Sequence, residues 1–242
     1  MSRRFYTVHL INYRSSNDDK ILEKGRLVYT EKLGWVDLGH ATGDDARVLM
    51  STINAGDNTK ESYFTVRYIQ YMGKGKNYGT TKITKWRVRR GLSLHDKKSV
   101  ALTIMMYTTH LFESNQGSFP FNWIMDSGYS SDDLTSNLLG FYRAINGVDY
   151  LSQLGMVSKE DALKRWDYYG PIGKYKNKVF KPLLFPDPEK YPNNARPYNG
   201  TLPSFLNTIS PIIDMKISSI LIHVKDVTEI NIGVEHAQIG LE

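Results

Sequence analysis

The residues able to do chemistry gather in one stretch. His110-Leu111-Phe112-Glu113 closes a long helical pattern, and Ser130-Ser131-Asp132-Asp133-Leu134-Thr135-Ser136-Asn137-Leu138-Leu139-Gly140 opens another. Glu113 is the candidate general acid. A carboxyl leaving an apolar helix near its C-terminal end is disfavoured in its charged form, by desolvation and by the negative end of the helix dipole. Both effects move it toward the range of a proton donor. His110 lies one turn back, within reach of Glu113. The plain alternative is a solvated carboxylate in the last helical turn.

Asp133, Asn137 and Gly140 fall at i, i+4 and i+7, a polar stripe of small residues, while Leu134, Leu138 and Phe141 form the apolar stripe beside it. Asp133 is the candidate second carboxylate and Asn137 a substrate-binding amide. Gly140 in mid-helix costs about 1 kcal/mol against Ala, so a close helix–helix approach is expected there. Asp133 has a structural job as well, because Ser130 three residues ahead makes a capping-box spacing.

A third group is Asp37 and His40 in Gly34-Trp35-Val36-Asp37-Leu38-Gly39-His40. Asp-x-x-His before a helix orients an imidazole as a base or a metal ligand. Glu113, Asp133 and His40 are taken as catalytic candidates. Asn137, His110, Asp37, Trp123, Arg87 and Arg89 are taken as substrate-binding candidates. No H-E-x-x-H spacing occurs, so no cofactor or metal is assigned, and a hydrolase with His40, His110 and Glu113 around a metal is kept as an alternative. No G-x-S-x-G elbow marks a serine nucleophile.

A basic cluster runs from Lys74 to Lys98 and includes Lys82, Lys85, Arg87, Arg89, Arg90 and Lys97, with Tyr71, Tyr78 and Trp86 interleaved. It suits an anionic polymer, and alternation puts Lys85, Arg87 and Arg89 on one face of a ribbon. The same face reads equally as the solvated side of a hairpin.

These groups must be positioned by an α+β fold. The spacing predicts strands at 5–14 and 26–33 and a helix from about Asp44 to Asn54, capped by Thr42 or Asp44 and stopped at Gly56. A hairpin over 62–72 and 80–90 follows, with its turn around Gly73–Gly79. A central buried helix begins at Ser93, with Asp96 completing its cap. Further helices run over about 131–145 and from Ser158 to near Tyr169. Residues 170–204, rich in proline, read as a long ordered loop wrapping the core, with Tyr175, Phe180, Phe185, Tyr191 and Tyr198 to pack. Residues 215–233 read as a second hairpin-like pair. The whole is taken as a single domain over 1–242.

Composition bounds the function. The 242 residues carry a net charge of +6, which favours anionic partners, and no cysteine, which removes thiol nucleophiles, disulfides and Cys-bound zinc. The N-terminus lacks the apolar run of a classical signal peptide. No window reaches the length of a membrane span. Synthesis in the cytoplasm followed by secretion or delivery to the periplasm is the expected route.

Two resemblances follow from the motifs. Glu113-Ser114 at a helix end, followed by Asn137-Leu138-Leu139-Gly140, resembles lysozyme-like lytic transglycosylases, in which a Glu of a Glu-Ser pair is the acid. Where that family carries a Gly-Leu-Met-Gln-type motif, this chain has Phe119-Pro120-Phe121-Asn122-Trp123. Ser131, Asp133, Leu134, Ser136, Asn137 and Gly140, with the Gly34–His40 run, are similar to the motifs of an uncharacterised family of predicted envelope lipoproteins. That likeness implies an envelope connection. The combined expectation is a soluble hydrolase of cell-envelope glycan, an antibacterial effector with Glu113 as general acid. Its partners would be an anionic envelope polymer as substrate and an immunity or delivery protein, with nucleic acid disfavoured. The alternative is a non-enzymatic binder of an anionic polymer or a protein, acting through the basic hairpin.

Overall fold

The computed structural model describes residues 26–74, 78–116, 130–193, 195–214 and 218–232. The expected strand at 5–14 and the candidate Trp123 lie outside them. The fold is α+β, as expected. Its elements are β1 (Leu27–Thr30), β2 (Gly34–Asp37), α1 (Asp44–Ala55), β3 (Tyr63–Lys74), β4 (Tyr78–Arg89), α2 (Leu94–Gln116), α3 (Asp133–Asn146), α4 (Lys159–Tyr169), β5 (Leu183–Leu184), β6 (Tyr198–Asn199) and β7 (Leu221–Ile232).

The chain divides into two compact units. Among the described residues, the first takes those up to Thr42, those from Ser130 to Ser136, and Asp149–Pro203. The second takes those from Gly43 to Gln116, Asn137–Val148, and those from Ser204 on.

In the first unit, a four-stranded sheet runs in the order β1-β2-β5-β6. Gly34–Asp37, read from the sequence as a lead-in to a helix, is strand β2 paired antiparallel with β1. Thr30 shapes the turn between them: its hydroxyl donates to the Gly34 carbonyl and accepts from Leu33 N–H, both at 3.1 Å. Gly34 has φ +74°, and a Cβ there would lie 2.1 Å from the Leu183 carbonyl oxygen. Only glycine lets β5 pair there.

The proline-rich stretch is more than a wrapping loop, since it supplies β5 and β6. Phe185 from this stretch joins Leu27, Tyr29, Trp35, Trp166, Tyr169 and Ile172 in the core, and Tyr175 contacts it. The Tyr29 hydroxyl donates to Phe185 O and accepts from Phe185 N–H, both at 2.8 Å. Tyr191 and Tyr198 do not pack as expected and stay exposed at 58% and 55%. Helix α4 starts as the sequence predicts, with Ser158 accepting from Asp161 N–H.

In the second unit, the sheet order is β3-β4-β7, all antiparallel. The expected hairpin is β3–β4. The tail is not a second hairpin: Leu221–Ile232 is one continuous strand on β4. The charged residues Lys225-Asp226, which look like a break, are accommodated because Asp226 accepts an ion pair from Lys82 at 2.5 Å. Helix α2 packs on the sheet through Trp86–Tyr107 ring contact and a 2.7 Å bond between the Thr84 and Thr108 hydroxyls. Its cap is the expected one, Ser93 accepting from Asp96 N–H at 3.1 Å. The residue before α1 is Gly43, with no side-chain cap from Thr42 or Asp44. The close approach predicted at Gly140 is made by Gly43. A Cβ at Gly43 would lie 2.0 Å from the Gly140 carbonyl oxygen.

Candidate active site

The head of α3 and the end of β2, both in the first unit, form one polar cluster. Sequence spacing alone would have Ser130 capping α3 with its hydroxyl. Half of that box forms: Asp133 Oδ2 accepts the Ser130 N–H at 2.8 Å. The Ser130 hydroxyl turns instead to Asp132, donating to Oδ1 at 2.5 Å. The Asp132 carbonyl accepts the Ser136 N–H at 2.9 Å, so Asp132 stands at the helix entry. Its side chain, exposed at only 4% as a residue, is held inside.

Asp37 closes β2 and is clasped by Arg26. Nη2 of Arg26 lies 3.1 Å from both carboxylate oxygens, and Nε lies 3.3 Å from Oδ1. Gly39 N–H donates to Asp37 Oδ1 at 2.6 Å and His40 N–H reaches it at 3.4 Å. A Cβ at Gly39 would sit 2.2 Å from the Arg26 guanidinium, so a larger residue there would push the clasp aside. The Asp37 backbone N–H donates to the Ser136 hydroxyl at 3.0 Å, which joins β2 to α3. The side chain of Arg26 is 47% exposed, so the cluster reaches water on that side.

These surroundings divide the carboxyls. Burial pushes Asp132 up to about 8, with the neighbouring Asp133 and then Asp37 adding repulsion. The Ser130 hydroxyl bond and His40 pull the other way without cancelling the rise. Burial and the neighbouring acids thus favour the protonated form of Asp132. Asp37 is gripped by the Arg26 guanidinium and by the N–H groups of Gly39 and His40. A buried carboxyl pushed toward its protonated form, beside a second carboxyl held by a guanidinium, supplies the parts of an acid–base pair.

Two further groups bound the cluster. Ser131 Oγ is buried with no hydrogen-bond partner. Asn177, also buried, donates from Nδ2 to the carbonyls of Lys181 at 2.8 Å and Ser131 at 3.4 Å. It anchors the proline-rich stretch to the segment before α3.

Comparison of the chain with protein-family models, curated proteins and solved structures gives no match. The two family resemblances accordingly rest on the motifs alone.

The candidates read from the sequence separate. Asp37, His40 and Asp133 belong to the cluster in the first unit. Glu113, His110 and Asn137 belong to the second unit. Glu113 is not a solvated last-turn group: it is 1% exposed. His110 is exposed and Asn137 half-buried. Arg87 and Arg89 are exposed on β4, and Arg87 lies over the Tyr63 ring at 5.0 Å from its centroid. Among the described residues, no group of three or more His, Asp or Glu is placed to hold a metal ion. No helix among them is long and apolar enough to cross a membrane.

Asp132, Arg26 and Ser136 were missed as functional residues. Asp132 carried one usable signal, an acid directly preceding another acid at a helix start. Such a pair resolves repulsion by burying one member protonated.

Proposed function

We propose that the chain is a hydrolase of bacterial envelope glycan that works by acid–base catalysis through Asp132 and Asp37. The observation that carries this reading is the buried Asp132 carboxyl, raised to about 8 in the same cluster as an Arg26-bound Asp37. In this role Asp132 gives its proton to the glycosidic oxygen as the bond to the sugar carbon breaks. Asp37 takes a proton from the attacking water. Asp133 keeps Asp132 protonated by repulsion, and His40, half-buried beside them, orients substrate.

The envelope glycan comes from the motif likenesses at Gly34–His40 and Ser131–Gly140, and from the net charge of +6, which suits an anionic wall. An effector delivered to the periplasm and restrained by an immunity partner is the matching biological role. Glu113 is the rival acid, buried in the last turn of α2.

The test is release of soluble fragments from purified peptidoglycan sacculi, followed by chromatography with mass identification of the new ends. Wild-type protein should release glycan fragments, and Asp132→Asn should release none while keeping its circular dichroism spectrum. Fragment release by Asp132→Asn at the wild-type rate would overturn the assignment.

A further inference from the structure

On the face away from Trp86, the three-stranded sheet gathers cations by register beyond the buried pair Ile69 and Ile83. Arg67 on β3 stands opposite Lys85 on β4, and Lys85 opposite Lys225 on β7. Residues directly opposite on antiparallel strands project from the same face with Cα atoms about 4.5–5.5 Å apart. Three basic residues thus form one row across all three strands. Arg87 and Arg89 continue the same face along β4, both exposed, in steps of about 7 Å. The other face is the one packed on α2 through Trp86 and Thr84.

The row depends on a bulge. Lys85 pairs with Lys225, but the next residue, Trp86, pairs with His223, so Val224 is an extra residue in β7. In a regular strand Lys225 and His223 would point the same way. The insertion keeps His223 against the Trp86 ring, 4.8 Å between centroids, and turns Lys225 out beside Lys85. Like charges set directly opposite weaken a sheet.

Two other lysines of the basic stretch are not part of this face. Lys82 points inward to Asp226 and Thr228, and Lys97 pairs with Asp57. The surface is therefore a defined set, Arg67, Lys85, Arg87, Arg89 and Lys225, rather than a diffuse charge.

We propose that this face binds a linear phosphodiester polymer of the polyol-phosphate type, lying along β4. Guanidinium forks such as those of Arg87 and Arg89 match phosphate oxygens in a bidentate way. Bases of a single-stranded nucleic acid need open aromatic faces to stack on. Among the described side chains, Tyr63 is the aromatic on this face, and the Arg87 guanidinium covers it. A polymer of charge without bases fits better. This surface goes beyond the acid–base reading and stands without it.

The test is fluorescence anisotropy with the full chain and labelled poly(glycerol phosphate), titrated at rising salt. Oligo-thymidylate and polyglutamate of equal charge number run in parallel. Poly(glycerol phosphate) should bind tightest, with affinity falling steeply as salt rises. The double variant Arg87→Glu/Arg89→Glu should lose at least tenfold. Lys225→Glu and the milder Lys225→Gln should lose affinity in that order, each with a shallower salt dependence. Lys159→Glu, on α4, should bind as wild type. Tighter binding of oligo-thymidylate or polyglutamate, indifference to the β4 and β7 changes, or an equal loss in Lys159→Glu would each overturn the proposal.

Discussion

The Ser136 hydroxyl accepts the backbone N–H of Asp37 at 3.0 Å, joining a strand end to a helix start ninety-nine residues later in the chain. Through this bond the first turn of α3 fixes the place of Asp37, and with it the Arg26 clasp. Ser136 is itself fully buried. Ser136→Ala should therefore leave a buried N–H without a partner and cost about 1–3 kcal/mol, read as a lower urea midpoint. Ser136→Thr, which keeps the hydroxyl, should recover part of that loss if the added methyl is tolerated. An unchanged midpoint in the alanine variant would show that the bond contributes nothing.

Stability should depend on pH through Asp132. Its folded value is raised from 3.8 to about 8, so the folded state holds a proton that the unfolded state releases. That contribution is fully present below the unfolded value and is lost as pH rises through the folded one. Wild-type melting temperature should decline from pH 5 toward pH 9, and Asp132→Asn should flatten the decline. Asp57 acts in the opposite sense, because its hydrogen bond from Lys97 lowers it. Its contribution is present above the ordinary carboxylate range and disappears only on acidification. The two limbs do not overlap, so a difference curve between wild type and Asp132→Asn isolates the buried acid.

Ser130 tunes that acid directly. Its hydroxyl bond to Asp132 Oδ1 stabilises the charged form and holds the carboxyl lower than burial alone would. Ser130→Ala should raise Asp132 further. The alkaline limb of the pH profile for glycan release should move to higher pH, with little change at pH 6. A shift to lower pH would mean that the hydroxyl serves the neutral acid instead.

Much of this arrangement is legible in the sequence, and the rest fails for identifiable reasons. Ser93-x-x-Asp96 and Ser158-x-x-Asp161 foretell two helix starts because their caps are local. Ser130-x-x-Asp133 has the same spacing, yet its hydroxyl goes to Asp132. A buried acid next door competes for the bond, and burial is not written in spacing. Gly34–Asp37 is too short to show alternation, and its pairing with Leu183 is a long-range event. Lys225-Asp226 looks like a turn because two charges interrupt an apolar run, whereas Asp226 meets a lysine on the neighbouring strand. The two units interleave six segments of chain, three each, so no composition change marks them. Asp37, His40 and Asp133 stand out in the sequence by type and spacing. The doublet Asp132-Asp133 is visible too, but the burial that raises Asp132 is not.

The positive φ of Gly43 offers a test of the second unit's packing. At φ +69°, with the Gly140 carbonyl oxygen 2.0 Å from where a Cβ would be, Gly43→Ala meets both backbone strain and a clash. The loss should exceed about 1 kcal/mol. Gly147→Ala has a similar φ of +65° but meets nothing within 4 Å. It should cost less, and the difference between the two variants measures the close approach alone.

In the proposed reaction Asp132 supplies the catalytic proton. The most direct measurement compares the rates of glycan release from sacculi by Asp132→Asn and Glu113→Gln at pH 6, each checked for folding by its melting temperature. A positioned general acid is worth about 10²–10⁴-fold. Asp132→Asn should lose that much, and Glu113→Gln should stay near the wild-type rate. The reverse result, with Asp132→Asn active and Glu113→Gln dead, would contradict that role of Asp132.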